Sequence, residues 1–256
     1  MSGLPLKILI IIGAALYYAS LSLYFFRKHR TANITSNVVY IAAWTINFAV
    51  VVNNFILNGY VPFVSMFQVL TFIAMLFGPV FIYMSRVRGH RWMKPYFLAA
   101  SAILMTGLCF MNADAVTEFR PALRSPWFLP HVLVYTTAYT LGFISFLIVL
   151  IRFVTNDPEK KKELNAGVYD AVCMTFALST LGMFIGAIWA NEVWGAFWSW
   201  DSKENWALIT WLSYMLYLHF RRSKKLAKYA NILIVLGFLC IIITLFFSGS
   251  SSHAYL

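Results

Sequence analysis

The sequence predicts an all-α polytopic membrane protein with about eight transmembrane helices and both chain termini on the extracytoplasmic side. Three observations carry this. Of the 256 residues, 61% are apolar and only 11% charged, and the mean hydropathy is +0.73, far from the balance of a soluble domain. Apolar runs of about twenty residues recur without the alternation of a half-buried strand. In hydrocarbon such runs satisfy their own backbone only as helices. The basic residues, finally, gather in short clusters between alternate runs.

The first run, 5–26, is too long for a signal-peptide core, has no basic leader beyond Lys7, and ends in Arg27-Lys28-His29-Arg30 without a small-residue cleavage site. It reads as a retained helix. Further helices are expected over 37–57, 63–84, 95–112, 129–154, 168–190, 203–220 and 229–248. Between them, the basic clusters at 27–30, 86–94, 152 with 160–162, and 221–228 hold 16 of the 20 Lys and Arg residues. The positive-inside rule puts these in the cytoplasm and the loops 58–62, 113–128 and 191–202 outside with both termini. There is no internal repeat, low-complexity tract or long linker, so 1–256 reads as a single integral membrane domain.

A net charge of +11 suggests nucleic acid only where the basic residues form one face; here their clusters report topology, and no nucleic-acid partner is expected. Cys109, Cys173 and Cys240 sit singly inside apolar runs with no C-x-x-C pair, the pattern of packing residues. Thiol redox chemistry would have to come from a partner.

The segment 189–206 holds five of the nine tryptophans: Trp189, Trp194, Trp198, Trp200 and Trp206. One reading is an aromatic belt at the headgroup level. The other is an apolar shelf for a flat hydrophobic ligand, since a belt needs only one or two rings per helix end. Asp201-Ser-Lys-Glu204 matches a capping box, with Asp201 at the N-cap and Glu204 at N3 of the seventh helix. Such a cap would fix the shelf to a rigid element.

The run WGAFWSWDSKENWALITWLSYMLYLH resembles the WWD signature of the haem-handling proteins of cytochrome c maturation. Its continuation KENWALITW…YLH is similar to the CcsA type, the partner of CcsB (ResB) in the system II cytochrome c synthetase, whereas the CcmC and CcmF types read differently after the aspartate. Leu123-Arg-Ser-Pro-Trp127-Phe-Leu-Pro-His131-Val with Tyr139 resembles the family's first histidine segment, and Ser250-Ser-Ser-His253-Ala-Tyr255 its second. Residues 58–68 resemble the family's glycine-proline segment, with Gln68 where a glutamate is usual.

The resemblance implies that His131 and His253 are axial ligands of haem iron at an outer site. Trp194, Trp198, Trp200 and Asp201 would form the haem surface, and the charge-derived orientation puts both histidines on that side. Zinc fits less well, because no third histidine or cysteine lies outside to complete a set. His219 lies 18 residues after Asp201, about 27 Å along a helix, and cannot reach the outer site. It reads either as an interfacial histidine beside Arg221 and Arg222 or, as the resemblance implies, as a ligand of an inner haem site whose second ligand comes from the CcsB portion. His29 and His90 lie in basic loops and are assigned no chemistry.

The implied function is movement of haem b to the extracytoplasmic face and its covalent attachment to the CxxCH segment of apocytochrome c. Alongside a CcsB (ResB)-like subunit, an external thiol-reducing protein is the other partner expected. The membrane would be the bacterial cytoplasmic membrane or, for a plastid protein, the thylakoid, with the tryptophan loop facing periplasm or lumen. The protein's contribution is positioning, the substrate cysteines being the nucleophiles. A CcmC-like haem chaperone would use the outer histidines but not His219. A secondary transporter of another aromatic solute would show broken helices and midplane ion sites, which the sequence does not suggest.

Overall fold

The structure is a computed structural model that describes residues 4–26, 30–112 and 121–247. Those residues form eight α-helices: α1 Leu4–Phe25, α2 Arg30–Asn58, α3 Met66–Arg86, α4 Lys94–Cys109, α5 Phe128–Val154, α6 Pro158–Trp194, α7 Ser202–Phe220 and α8 Ala230–Phe246. Three single 3-10 turns, at Arg91–Met93, Pro121–Arg124 and Ala227–Tyr229, precede α4, α5 and α8, and the described residues contain no strand. The protein is all-α and an integral membrane protein. Six helices, α1, α2, α3, α5, α6 and the α8 segment, are long and apolar enough to cross a membrane.

The helix starts differ from the sequence expectation where polar residues continue a helix beyond its apolar run. α2 begins seven residues before the expected 37, and α6 ten before the expected 168. The cause at α6 is local. Asp157 is an N-cap whose carboxylate accepts from the Glu159 and Lys160 N–H groups, and Pro158 follows at N1, where its missing N–H costs nothing. Lys160–162 therefore ride on helix, not loop. With 37 residues α6 is about 55 Å long, against a hydrocarbon core of about 30 Å, so its ends project beyond it.

The chain divides into two compact units, 1–118 and 119–256. In the first, α1 packs on α2 and α4, and α3 on α2 and α4. Ser20 and Ser36 tie α1 to α2 reciprocally: each hydroxyl donates to the other residue's carbonyl, at 2.8 and 3.0 Å. α3 carries Pro79 inside it, which leaves the Met75 carbonyl without its helical donor. The Trp44 indole of α2 donates to that carbonyl at 2.8 Å, passing over Gly78, where any side chain would collide with the ring. An orphaned carbonyl in hydrocarbon is thereby satisfied by a neighbouring helix.

In the second unit α5 packs on α6 and α8, and α7 on α6 and α8. At one end Asn165 joins three helices: its side-chain oxygen accepts from Arg152 Nε of α5 at 2.9 Å, and its carbonyl from Arg221 just past α7 at 3.2 Å. The Arg221 guanidinium also lies over the Tyr169 ring. This end carries most of the unit's Lys and Arg residues. The tryptophan-rich segment is at the other.

Candidate functional site

His131 sits in the first turn of α5, half-buried against α6. Its Nδ1 is 2.9 Å from the Gly182 carbonyl. A carbonyl only accepts, so Nδ1 carries the hydrogen, and in the neutral ring the lone pair is on Nε2. The seat is made by two glycines one helical turn apart. A Cβ at Gly186 would lie 2.5 Å from His131 Cε1, and one at Gly182 would lie 2.7 Å from the Tyr135 ring. Residues 131 and 135 thus fill a trough between 182 and 186, the close-approach geometry that small residues four apart permit. Sequence reasoning missed this trough, although Gly182-Met-Phe-Ile-Gly186 is a GxxxG signal.

Trp189 completes this half of the site. It is 2% exposed, its indole N–H donates to the Ala122 carbonyl at 3.0 Å, and its ring lies 5.5 Å from His131, 5.4 Å from Phe128 and 5.0 Å from Trp194. Ser125 donates to Glu192 at 3.0 Å, a second tie between the segment before α5 and the end of α6. The expected loop at 191–202 is therefore shorter, because α6 runs through Trp194 and ends on Gly195 in the left-handed region, φ +77. Trp189 is a buried helical residue that holds the histidine segment in place.

The remaining rings form a second group. Trp198 and Trp200 meet edge to face at 5.9 Å in the segment between Gly195 and α7, and Phe197 and Trp200 are exposed. The Trp198 indole N–H is buried with no acceptor among the described residues. Asp201 is the N-cap of α7, accepting from the Glu204 N–H at 2.9 Å, while Glu204 accepts from the Asp201 N–H at 3.3 Å; the capping box read from the sequence is present. His219 is at the far end of α7, exposed, its Nδ1 2.8 Å from the Met215 carbonyl. Gln68 is buried, its side-chain oxygen accepting from the Val64 and Ser65 N–H groups, so a neutral side chain caps α3. His253 and His29 lie outside the described residues.

The structure brings His131 together with Trp189 and Trp194, and Trp198 with Trp200 and Asp201. Residues 60–255 match the sequence family described as cytochrome c assembly protein, so the match takes in every one of these groups. The chain is similar to the cytochrome c biogenesis protein CcsA of Amborella trichopoda, 31% identical over 80% of this chain and 80% of that one. It is likewise similar to CcsA of Prochlorococcus marinus strain MIT 9312, 29% identical over 78% and 77%. The chain belongs to the CcsA-type cytochrome c assembly proteins. CcsA of Chlamydomonas reinhardtii is 41% identical over a shorter stretch, 41% of this chain and 32% of that one. For a CcsA-type chain the trough under His131 and the capped tryptophan segment are two separately built supports, one on the α5–α6 contact and one on the start of α7.

Proposed function

We propose that this chain acts in cytochrome c biogenesis by carrying haem b to an extracytoplasmic site and presenting it for attachment to the CxxCH segment of apocytochrome c, in complex with a CcsB (ResB)-like subunit. The observation that carries the reading is His131. Its tautomer puts the Nε2 lone pair on the nitrogen opposite the Gly182 bond, and its ring is packed between Trp189 and Tyr135, with Trp194 behind Trp189. Haem iron takes imidazole nitrogen along its axis, and a ligand whose other ring nitrogen is hydrogen-bonded is held in tautomer and orientation. The other half of the surface suits the same cargo. Trp198 and Trp200 offer flat apolar rings, and the unpartnered Trp198 N–H is the kind of donor a carboxylate would satisfy. His253, in the segment that the resemblance pairs with His131, is the proposed second axial ligand.

His219 is the proposed ligand of an inner haem site, completed by the CcsB-like subunit. All eight helices are proposed to span, with the basic ends in the cytoplasm and the tryptophan segment outside, in the bacterial cytoplasmic or the thylakoid membrane. An external thiol-reducing protein would keep the substrate cysteines available as nucleophiles, and this chain orients the cargo against them. The test is the absorption spectrum of the chain purified with a CcsB-like partner. Haem bands should be present, and His131→Ala should change the axial-ligand signature, with free imidazole restoring it in part. A spectrum and a cytochrome c yield unaltered by His131→Ala would refute the proposal.

A further inference from the structure

Trp200 is the one non-glycine residue among those described with a positive φ, +60, and its side chain is 68% exposed. An exposed indole is ordinary at a membrane surface, but the positive φ is not. A side chain in the left-handed region is disfavoured by about five- to thirtyfold in population, and no burial of the ring offsets that. Something else holds the backbone, and the hydrogen bonds show what. The peptide group joining Trp200 to Asp201 is pinned at both ends: its carbonyl accepts from Asn205 Nδ2 at 2.8 Å, and its N–H donates to Glu204 Oε2 at 3.3 Å. The same carboxylate oxygen accepts from the Ser199 N–H at 2.7 Å and the Ser199 hydroxyl at 3.2 Å.

A capping box explains only the exchange between Asp201 and Glu204. The bonds from Ser199 to Glu204 and from Asn205 to the Trp200 carbonyl do nothing for the end of α7. They bracket Trp200, fixing the turn on either side of its Cα. We infer that Glu204 and Asn205 are positioning residues that latch Trp200 in its left-handed conformation and set the direction in which its indole is presented to haem. The inference rests on the haem reading above. Backbone strain of this kind persists only where the surroundings over-determine it, and it gathers where a side chain must be aimed.

The experiment uses the full chain with its CcsB-like partner, labelled with 5-fluorotryptophan and read by fluorine NMR, the Trp200 line being assigned by its loss in Trp200→Phe. Glu204→Leu removes the acceptor, Asn205→Asp removes the donor at constant shape, and Glu204→Gln keeps an oxygen where the carboxylate has one. In the first two the Trp200 line should split or broaden while the lines of the remote Trp44, Trp92 and Trp211 stay, which shows that the fold is intact; Glu204→Gln should retain a single Trp200 line. Haem affinity should fall about five- to thirtyfold in Glu204→Leu and Asn205→Asp, because only the latched fraction binds. A single sharp Trp200 line in both variants overturns the latch, and the haem reading survives that result if Trp200→Phe still weakens haem retention. If instead the line disperses but neither the latch variants nor Trp200→Phe lowers retention, the haem reading of Trp200 has failed and the positioning role with it.

Discussion

Gly186→Ala is the smallest change that should disturb the proposed outer ligand. The added methyl would stand 2.5 Å from His131 Cε1 and 2.6 Å from Nδ1, where carbon atoms pack at about 3.5–4.0 Å, so the ring or the helix must retreat by about 1 Å. The ring has little room to do so, with Tyr135 at 5.0 Å and Trp189 at 5.5 Å. A retreat of that size takes the 2.9 Å contact to the Gly182 carbonyl past hydrogen-bond range. Overpacking costs about 1–3 kcal/mol and the lost bond about 1 kcal/mol, while replacing glycine by alanine inside a helix returns nearly 1 kcal/mol. The net loss of stability is about 1–3 kcal/mol, too close to neutral to be diagnostic at its lower end. The deciding readout is therefore the haem spectrum of the purified complex, where His131 should ligate in altered geometry and haem content should fall. Gly142→Ala is the control, since its methyl meets the Tyr214 hydroxyl at 2.8 Å and overpacks α5 without touching the His131 seat. A parental spectrum in Gly186→Ala, or the same change in both variants, would refute the idea that the trough acts by seating His131.

Two further predictions concern topology and the inner site. Single cysteines placed in 196–200 should react with an impermeant thiol reagent from the extracytoplasmic side and one at 223 should be protected; the reverse pattern would overturn the orientation and every site proposal that depends on it. His219→Gly should lower the amount of haem loaded at the outer site without changing its spectrum, and added imidazole should restore part of the loading. Parental loading and cytochrome c maturation in that variant would remove the inner site and favour a haem chaperone.

Helix number and order were legible because each apolar run is long and its period needs no partner to be recognised. Helix ends were less so. The starts of α2 and α6 carry polar residues that a hydropathy reading assigns to loops, although Asp157-Pro158 is a recognisable start signal. The cap at Asp201 could be read because both of its partners lie within four residues. Trp189, the first of the tryptophan-rich segment 189–206 and next to last in the expected helix 168–190, was not told apart from the exposed rings, because nothing local distinguishes an indole that ends up buried from one that stays exposed. The seat of His131 joins residues 51 positions apart, and only a packed structure brings Gly182 beneath the ring. The left-handed turn at Trp200 was invisible for the opposite reason: the rule that reads such turns looks for glycine or asparagine, and this one is made by side chains that follow it.

The tryptophan half of the proposed outer site and the proposed inner ligand sit at opposite ends of α7, and that helix constrains how they relate. Its start is fixed by the Asp201–Glu204 box, its middle by the Trp211 indole donating to Thr180 of α6 at 2.7 Å, and its end by Arg221 on the Asn165 carbonyl. A helix tied at three levels does not shorten. The roughly 27 Å between Asp201 and His219 is therefore a fixed separation, close to the hydrocarbon thickness of about 30 Å. One haem cannot touch both ends, so the effect of His219 on the outer site has to be carried by movement of cargo. It follows that substitutions at His219 and at Glu204 should combine independently, one altering how much haem arrives and the other how firmly it is held. Sites this far apart with no shared partner are expected to add. A strong non-additive interaction in the double variant would mean that α7 moves, and that the two ends are coupled through the protein after all.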